Sequence, residues 1–119
     1  MRKALILLAG GLALTGVGCG PAYRGEPILG ALDISEPQVA LGQRVFYANC
    51  QQCHPGGAGG LGFALNNKPL TSGMIKFQVR NGIGAMPSFS AERIGDEELD
   101  ALVVYLARLR EHGSEAASQ

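Results

Sequence analysis

The chain has no tryptophan, only three cysteines and two histidines, and no charge to spare: ten Lys and Arg stand against ten Asp and Glu. Each shortage closes off a class of function. A formal net charge of zero provides no basic field to attract nucleic acid and no strongly charged docking face of either sign. A structural zinc site takes about four Cys or His ligands, and outside residues 50–54 only Cys19 and His112 remain. No stretch reaches the ~20 consecutive apolar residues of a membrane-spanning helix. The 119 residues have room for one domain and not two, and they contain no internal repeat and no low-complexity segment. Glycine, in contrast, is abundant. Its 18 copies in a sequence that is 46% hydrophobic describe a loop-rich globular chain.

The most specific motif is Cys50-Gln51-Gln52-Cys53-His54. Two thiols at this spacing followed at once by an imidazole match the attachment site of a c-type haem. Each thiol adds to one of two vinyl groups on the porphyrin, and the next residue offers a ring nitrogen to the iron from one face. The competing readings are a redox dithiol, half a zinc site, or two unrelated buried thiols. A thioredoxin-like dithiol requires a βαβ context, and no such pattern is present.

The N-terminus reads as an export signal. Arg2 and Lys3 precede the apolar run Ala4 to Leu14, and small residues follow, as in a secretory signal peptide covering residues 1–18. The junction Gly16-Val17-Gly18-Cys19 resembles the lipobox of bacterial lipoproteins, with Gly16 in place of the usual leucine. On that reading Cys19 carries the lipid, and acyl carbons at ~0.8 kcal/mol per buried methylene hold the protein at a membrane surface. Ordinary signal-peptidase cleavage nearby is the alternative. Loss of Arg2 and Lys3 leaves eight basic against ten acidic side chains, a net charge of −2. Residues 19–36 read as a lipid-anchored linker, or as a strap packing Ile28, Leu29, Leu32 and Ile34 on the domain.

The domain spans residues 37–113. A first helix is expected from about Pro37 to Ala48, with proline suited to its first turn. Its apolar stripe of Val39, Leu41, Val45 and Phe46 leads into the cysteines. Gly42 and Phe46 share a face, and a mid-helix glycine, costing about 1 kcal/mol against alanine, suggests another helix crossing close. The glycine-rich run from Pro55 to Leu65 lacks the lysine-serine ending of a phosphate loop. It reads as a loop passing the porphyrin edge, with the backbone around Gly62 and Phe63 offering a carbonyl to the second ring nitrogen of His54.

Thr71 or Ser72 caps a short helix through Arg80, closed by Asn81-Gly82. Met74 in this helix reads as core packing. Met86, among glycines and before Pro87, lies off any helical stripe, on a loop free to bring its thioether to the iron. In the last helix Asp96 is the expected N-cap, with Glu97 and Glu98 in the first turn. Leu99, Leu102, Val103, Leu106 and Leu109 form its stripe, Gly113 is its expected stop, and residues 114–119 form a frayed tail. His112 reads as an exposed cation at the helix end.

Taken together, Gly42-x-x-x-Phe46-x-x-x-Cys50-x-x-Cys53-His54, Met86-Pro87 and Leu102-x-x-Tyr105 resemble class I monohaem cytochrome c over residues 37–112. The resemblance implies an all-α cytochrome c fold. Three to four helices wrap one covalent haem, and the first and last cross with Gly42 and Phe46 against Leu102 and Tyr105. It also implies His54 and Met86 as axial ligands, and export to the periplasm or another extracytoplasmic membrane face. Phe63 stands where the family often has a proline whose carbonyl bonds the proximal histidine.

The leading expectation is therefore a one-electron carrier or relay subunit in a bacterial respiratory or other redox chain. It would be no enzyme by itself, would need no small-molecule substrate, and would work between a protein donor and a protein acceptor. Leu65, Met74, Ile75, Val79 and Phe89 are expected to cover the haem. A second reading is a haem enzyme or gas sensor with a displaceable Met86, for which Arg80 is the one distal polar candidate; otherwise Arg80 is a propionate partner or a surface charge. A third is a structural lipoprotein whose C-x-x-C forms a disulfide.

Overall fold

The computed structural model describes residues 31–117. The signal peptide, Cys19, Ile28 and Leu29 lie outside the described residues. Three helices make the frame: α1 (Pro37–Asn49), α2 (Ser72–Asn81) and α3 (Asp96–Ala117), with a single 3-10 turn at Pro55–Gly57. Among the described residues there is no strand, only an isolated antiparallel bridge between Ile83 and Met86. The fold is all-α.

The helices begin for local reasons. Pro37, in the first turn of α1, lacks the N–H that a helix start leaves unpaired, and Glu36 before it is extended. The Thr71 hydroxyl accepts the Met74 N–H at 3.3 Å, satisfying one of the first-turn donors of α2. At the far end Gly82 takes a positive φ of 72°, which suits glycine as the residue after a helix.

The start of α3 differs from expectation. Gly95 precedes the helix and donates its N–H to Glu98 Oε2 at 2.8 Å, the reach-back half of a capping box. Asp96 is the first helical residue, and its carboxylate serves Arg80 instead of the helix N–H groups. Gly113 does not stop α3, which continues to Ala117. A glycine ends a helix by turning left-handed, and Gly113 is not among the glycines with positive φ.

α1 and α3 cross at Gly42. A Cβ there would overlap the Ala101 carbonyl and come within 2.7 Å of Tyr105 Cβ. This contact offsets the propensity cost of a mid-helix glycine, since only a bare Cα lets the backbones approach so closely. Next to it, the Phe46 and Tyr105 rings pack at 5.3 Å with their planes tilted by 50°. Val39, Phe46 and Leu102 are essentially inaccessible, and Ile75 and Val79 bring α2 into the same core. Burial of each such side chain is worth about 1.5–3 kcal/mol. Leu32 from the segment before α1 packs against this core, while Ile34 stays exposed.

Ion pairs add ties at the surface: Lys76 of α2 with Asp100 of α3, and Arg108 of α3 with Glu36 at 3.2 Å. Pairs this exposed contribute little, about 0–1 kcal/mol. Two expectations fail on α2 and α3. Met74 is half exposed and Phe77 more so, because the buried face of α2 is the one that carries Ile75 and Val79, four residues apart. His112 is half-buried, and its Nε2 is shielded from solvent without a hydrogen-bond partner. The cause is that α3 runs on past it, with Gly113 lying against the Asn66 carbonyl.

Candidate haem site

The site begins where α1 ends. The Cys50 N–H still bonds back to Phe46 O at 2.7 Å, and the Cys50 carbonyl then collects the N–H groups of Cys53 at 3.1 Å and His54 at 2.9 Å. The five-residue motif is thereby folded into one turn fused to the helix. Gln51, to which the sequence pattern assigns no role, accepts the Gly56 N–H on its side-chain oxygen at 2.9 Å. It ties the motif to the turn that follows.

Both thiols are free. Burial, and secondarily the neighbouring Cys53, pushes the Cys50 thiol up to about 11. It is therefore a neutral, half-buried sulfur at ordinary pH. Among the described residues no group of three or more His, Cys, Asp or Glu is placed to hold a metal ion.

His54 is held by backbone. Its Nδ1 lies 2.7 Å from the Phe63 carbonyl oxygen. A carbonyl only accepts, so the proton sits on Nδ1 and the lone pair on Nε2 is left for a metal. The loop reaches the imidazole through Gly62, whose N–H donates to the Cys53 carbonyl at 2.9 Å. A Cβ on Gly62 would run into the ring, 2.7 Å from Nε2 and 2.8 Å from Nδ1. The Phe63 ring itself points outward, 79% exposed, with the Lys68 ammonium 5.8 Å from its centroid. The loop around Gly62 and Phe63 therefore supplies the carbonyl that the sequence led one to expect there.

Met86 sits on the connection between α2 and α3. It exchanges backbone hydrogen bonds with Ile83 (Met86 N–H to Ile83 O 2.9 Å, Ile83 N–H to Met86 O 3.1 Å), around Gly84 with a φ of 57°. Its side chain is half-buried and packs on the core. Arg80 corrects the sequence reading. It is not a spare surface charge: Nη1 donates to the carbonyls of Phe89, Ser90 and Ile94, and Nη2 to Asp96 Oδ1. The structure thus gathers Cys50, Cys53 and His54 in one turn and places Met86 on a separate braced loop. Two free thiols three positions apart on one turn, beside an imidazole whose tautomer leaves Nε2 available, fit a covalent haem.

Comparison with known proteins decides the family. The sequence profile of the family described as cytochrome c oxidase, cbb3-type, subunit III matches residues 37–106. The chain belongs to this cytochrome c family. Cytochrome c6 of Bryopsis maxima is 41% identical over 78 residues, covering 57% of the chain and 88% of that protein. Cytochrome c6 of Leptolyngbya boryana is 37% identical over 83 residues, covering 63% and 96%. The cytochrome c subunit of 4-cresol dehydrogenase [hydroxylating] from Pseudomonas putida is 35% identical over 75 residues, covering 63% and 66%. The chain is a small class I monohaem cytochrome c, and its cofactor is a covalently attached c-type haem. Among the described residues no helix is long and apolar enough to cross a membrane.

Proposed function

We propose that this cytochrome is a one-electron carrier or electron-relay subunit, with haem bonded to Cys50 and Cys53 and ligated axially by His54 Nε2 and Met86 Sδ. The observation that carries the reading is the 2.7 Å contact of His54 Nδ1 with the Phe63 carbonyl. It fixes the ring nitrogen that faces a metal and holds the ring in place through a rigid backbone acceptor. The haem supplies a reversible Fe(II)/Fe(III) couple, whose potential a methionine ligand raises relative to bis-histidine ligation.

The protein's own part is to fill both axial positions and exclude water, so that only an electron is exchanged. His54 is oriented by Phe63 and confined by Gly62. Met86 is presented by the Ile83–Met86 turn and the packing of its side chain on the core. A haem enzyme or gas sensor requires a free polar group on the distal side, and the guanidinium of Arg80 is already held by four acceptors of the protein itself. That weighs against the second reading.

The basic-apolar N-terminus supports export of a 37–113 domain in a bacterial redox chain, tethered through residues 19–36 with Cys19 as the lipid-bearing residue. Similarity to both cytochrome c6 and a dehydrogenase subunit is compatible with a free carrier and with a subunit, each acting between protein donor and acceptor. The test is an optical redox titration of exported protein. A far-red iron–methionine band in the oxidised form, absent in Met86→Ala, is expected, as is inertness of the reduced protein to CO. Rapid CO binding by the native reduced protein would overturn the carrier reading.

A further inference from the structure

The connection from Gly82 to Gly95 is irregular for 14 residues, yet it carries the side chain that must hold a fixed position. We propose that Arg80 is the positioning residue for Met86, pinning this loop so that the thioether stays on the iron; the inference rests on the His54/Met86 reading above. Arg80 lies in the last turn of α2, before the loop begins. Its Nη1 is 3.2 Å from Phe89 O, 3.3 Å from Ser90 O and 2.8 Å from Ile94 O, and its Nη2 is 2.8 Å from Asp96 Oδ1. One side chain therefore joins the end of α2, the backbone just after Met86-Pro87-Ser88, the segment leading to α3, and the first residue of α3.

Three neighbouring features make this a clamp on Met86 and not a general tie. The Phe89 N–H donates to Val79 O at 2.8 Å, so the strand of loop after Met86 is bonded to α2 at both Val79 and Arg80. Ile94, whose carbonyl takes the shortest of the three Nη1 bonds, is completely buried, and it anchors the loop's far end. At the near end, a Cβ on Gly82 would lie 3.0 Å from the Pro87 carbonyl carbon and the Ser88 nitrogen. The loop thus folds back on its own start with Met86 at the return. Only a planar guanidinium offers enough donors in a fixed fork to serve these acceptors together. Lysine keeps the charge but has no second nitrogen to reach Asp96 while the first serves the carbonyls. The Arg80 side chain is only 24% exposed, and Asp96 balances its charge.

The experiment compares holo-protein carrying Arg80→Gln, Arg80→Lys, Met86→Ala and Lys76→Gln. Readouts are the far-red iron–methionine band, CO binding to the reduced form, and the thermal midpoint. Arg80→Gln is expected to shift the equilibrium from bound toward released methionine by about 10- to 100-fold, the usual effect of groups that orient metal ligands. It should weaken the band and admit CO well below the melting temperature, and Arg80→Lys should recover part of the band. Lys76→Gln removes a tie between α2 and α3 away from the loop and should leave band and CO inertness unchanged.

A folded Arg80→Gln protein with a full band and no CO binding, merely melting earlier, would overturn the proposal. Should that variant not accumulate, a full band and CO inertness in Arg80→Lys would do the same. Persistence of the band in Met86→Ala would instead show that the ligand assignment itself had failed, and the proposal with it.

Discussion

The α1–α3 crossing and the two long connections around it are held together in different ways. The crossing is apolar and redundant: Val39, Phe46, Leu102, Tyr105 and their neighbours share the load, and Gly42 sets how closely the helices meet. The connections, residues 50–71 and 82–95, bury few large side chains. They depend on individual hydrogen bonds, among them His54 to Phe63, Gly56 to Gln51, and the four from Arg80. Damage to the crossing should therefore appear as lost stability with the haem's spectrum largely kept. Damage to the connections should appear in the spectrum and potential first.

The largest effect should come from removing what both regions share. A domain of this size is marginal without a staple, so Cys50→Ala/Cys53→Ala protein without haem should be largely unfolded. A cooperative far-UV melt of that variant would show that the helical frame stands alone. Next, Phe46→Ala should cost about 3–5 kcal/mol, read by denaturant titration of the holo-protein, while the iron–methionine band persists below the melt. Loss of the band at low denaturant would mean that the frame and the loops are not separable.

Gly62→Ala tests the other side. Its Cβ meets the His54 ring, and overpacking of this kind costs about 1–3 kcal/mol. The potential and the haem spectrum should shift more than the stability loss alone predicts; an unchanged spectrum would place the strain elsewhere. The smallest effect is alkaline. Burial, then Tyr47, pushes the Tyr105 phenol up to about 12, above its ordinary value near 10. The folded state thus binds the proton more tightly than the unfolded chain. Its contribution is complete below pH ~10 and is lost between about pH 10 and 12, at up to ~1.4 kcal/mol per unit. Tyr105→Phe should flatten that decline in denaturation midpoints.

The same division governs what could be read from the sequence. The helices, the Thr71 cap and the Gly42/Phe46 face follow from spacing over three or four residues, and so does the haem motif. Ile94 sits in a polar stretch with no periodic partner, and nothing local marks it as fully buried. The acceptors of Arg80 lie 9 to 16 residues away and exist only because the loop folds back. Met74 shows the opposite error: its apolar character was legible, but the face it occupies is set by where α3 lies. Gly113 likewise has the composition of a helix stop without the backbone angle.

The hold on His54 is made by main chain, and this bears on how the protein can vary. No substitution at position 63 deletes the carbonyl, since every residue, proline included, carries one, and the Phe63 ring is turned outward. Side-chain identity there is free to drift, so Phe63→Ala should keep the histidine's tautomer and the spectrum. The number of residues between His54 and Phe63 is not free in that way. Insertion or deletion of a single residue in this stretch would retune the iron where almost any point change at position 63 would not, so heritable change in this part of the site is channelled through loop length.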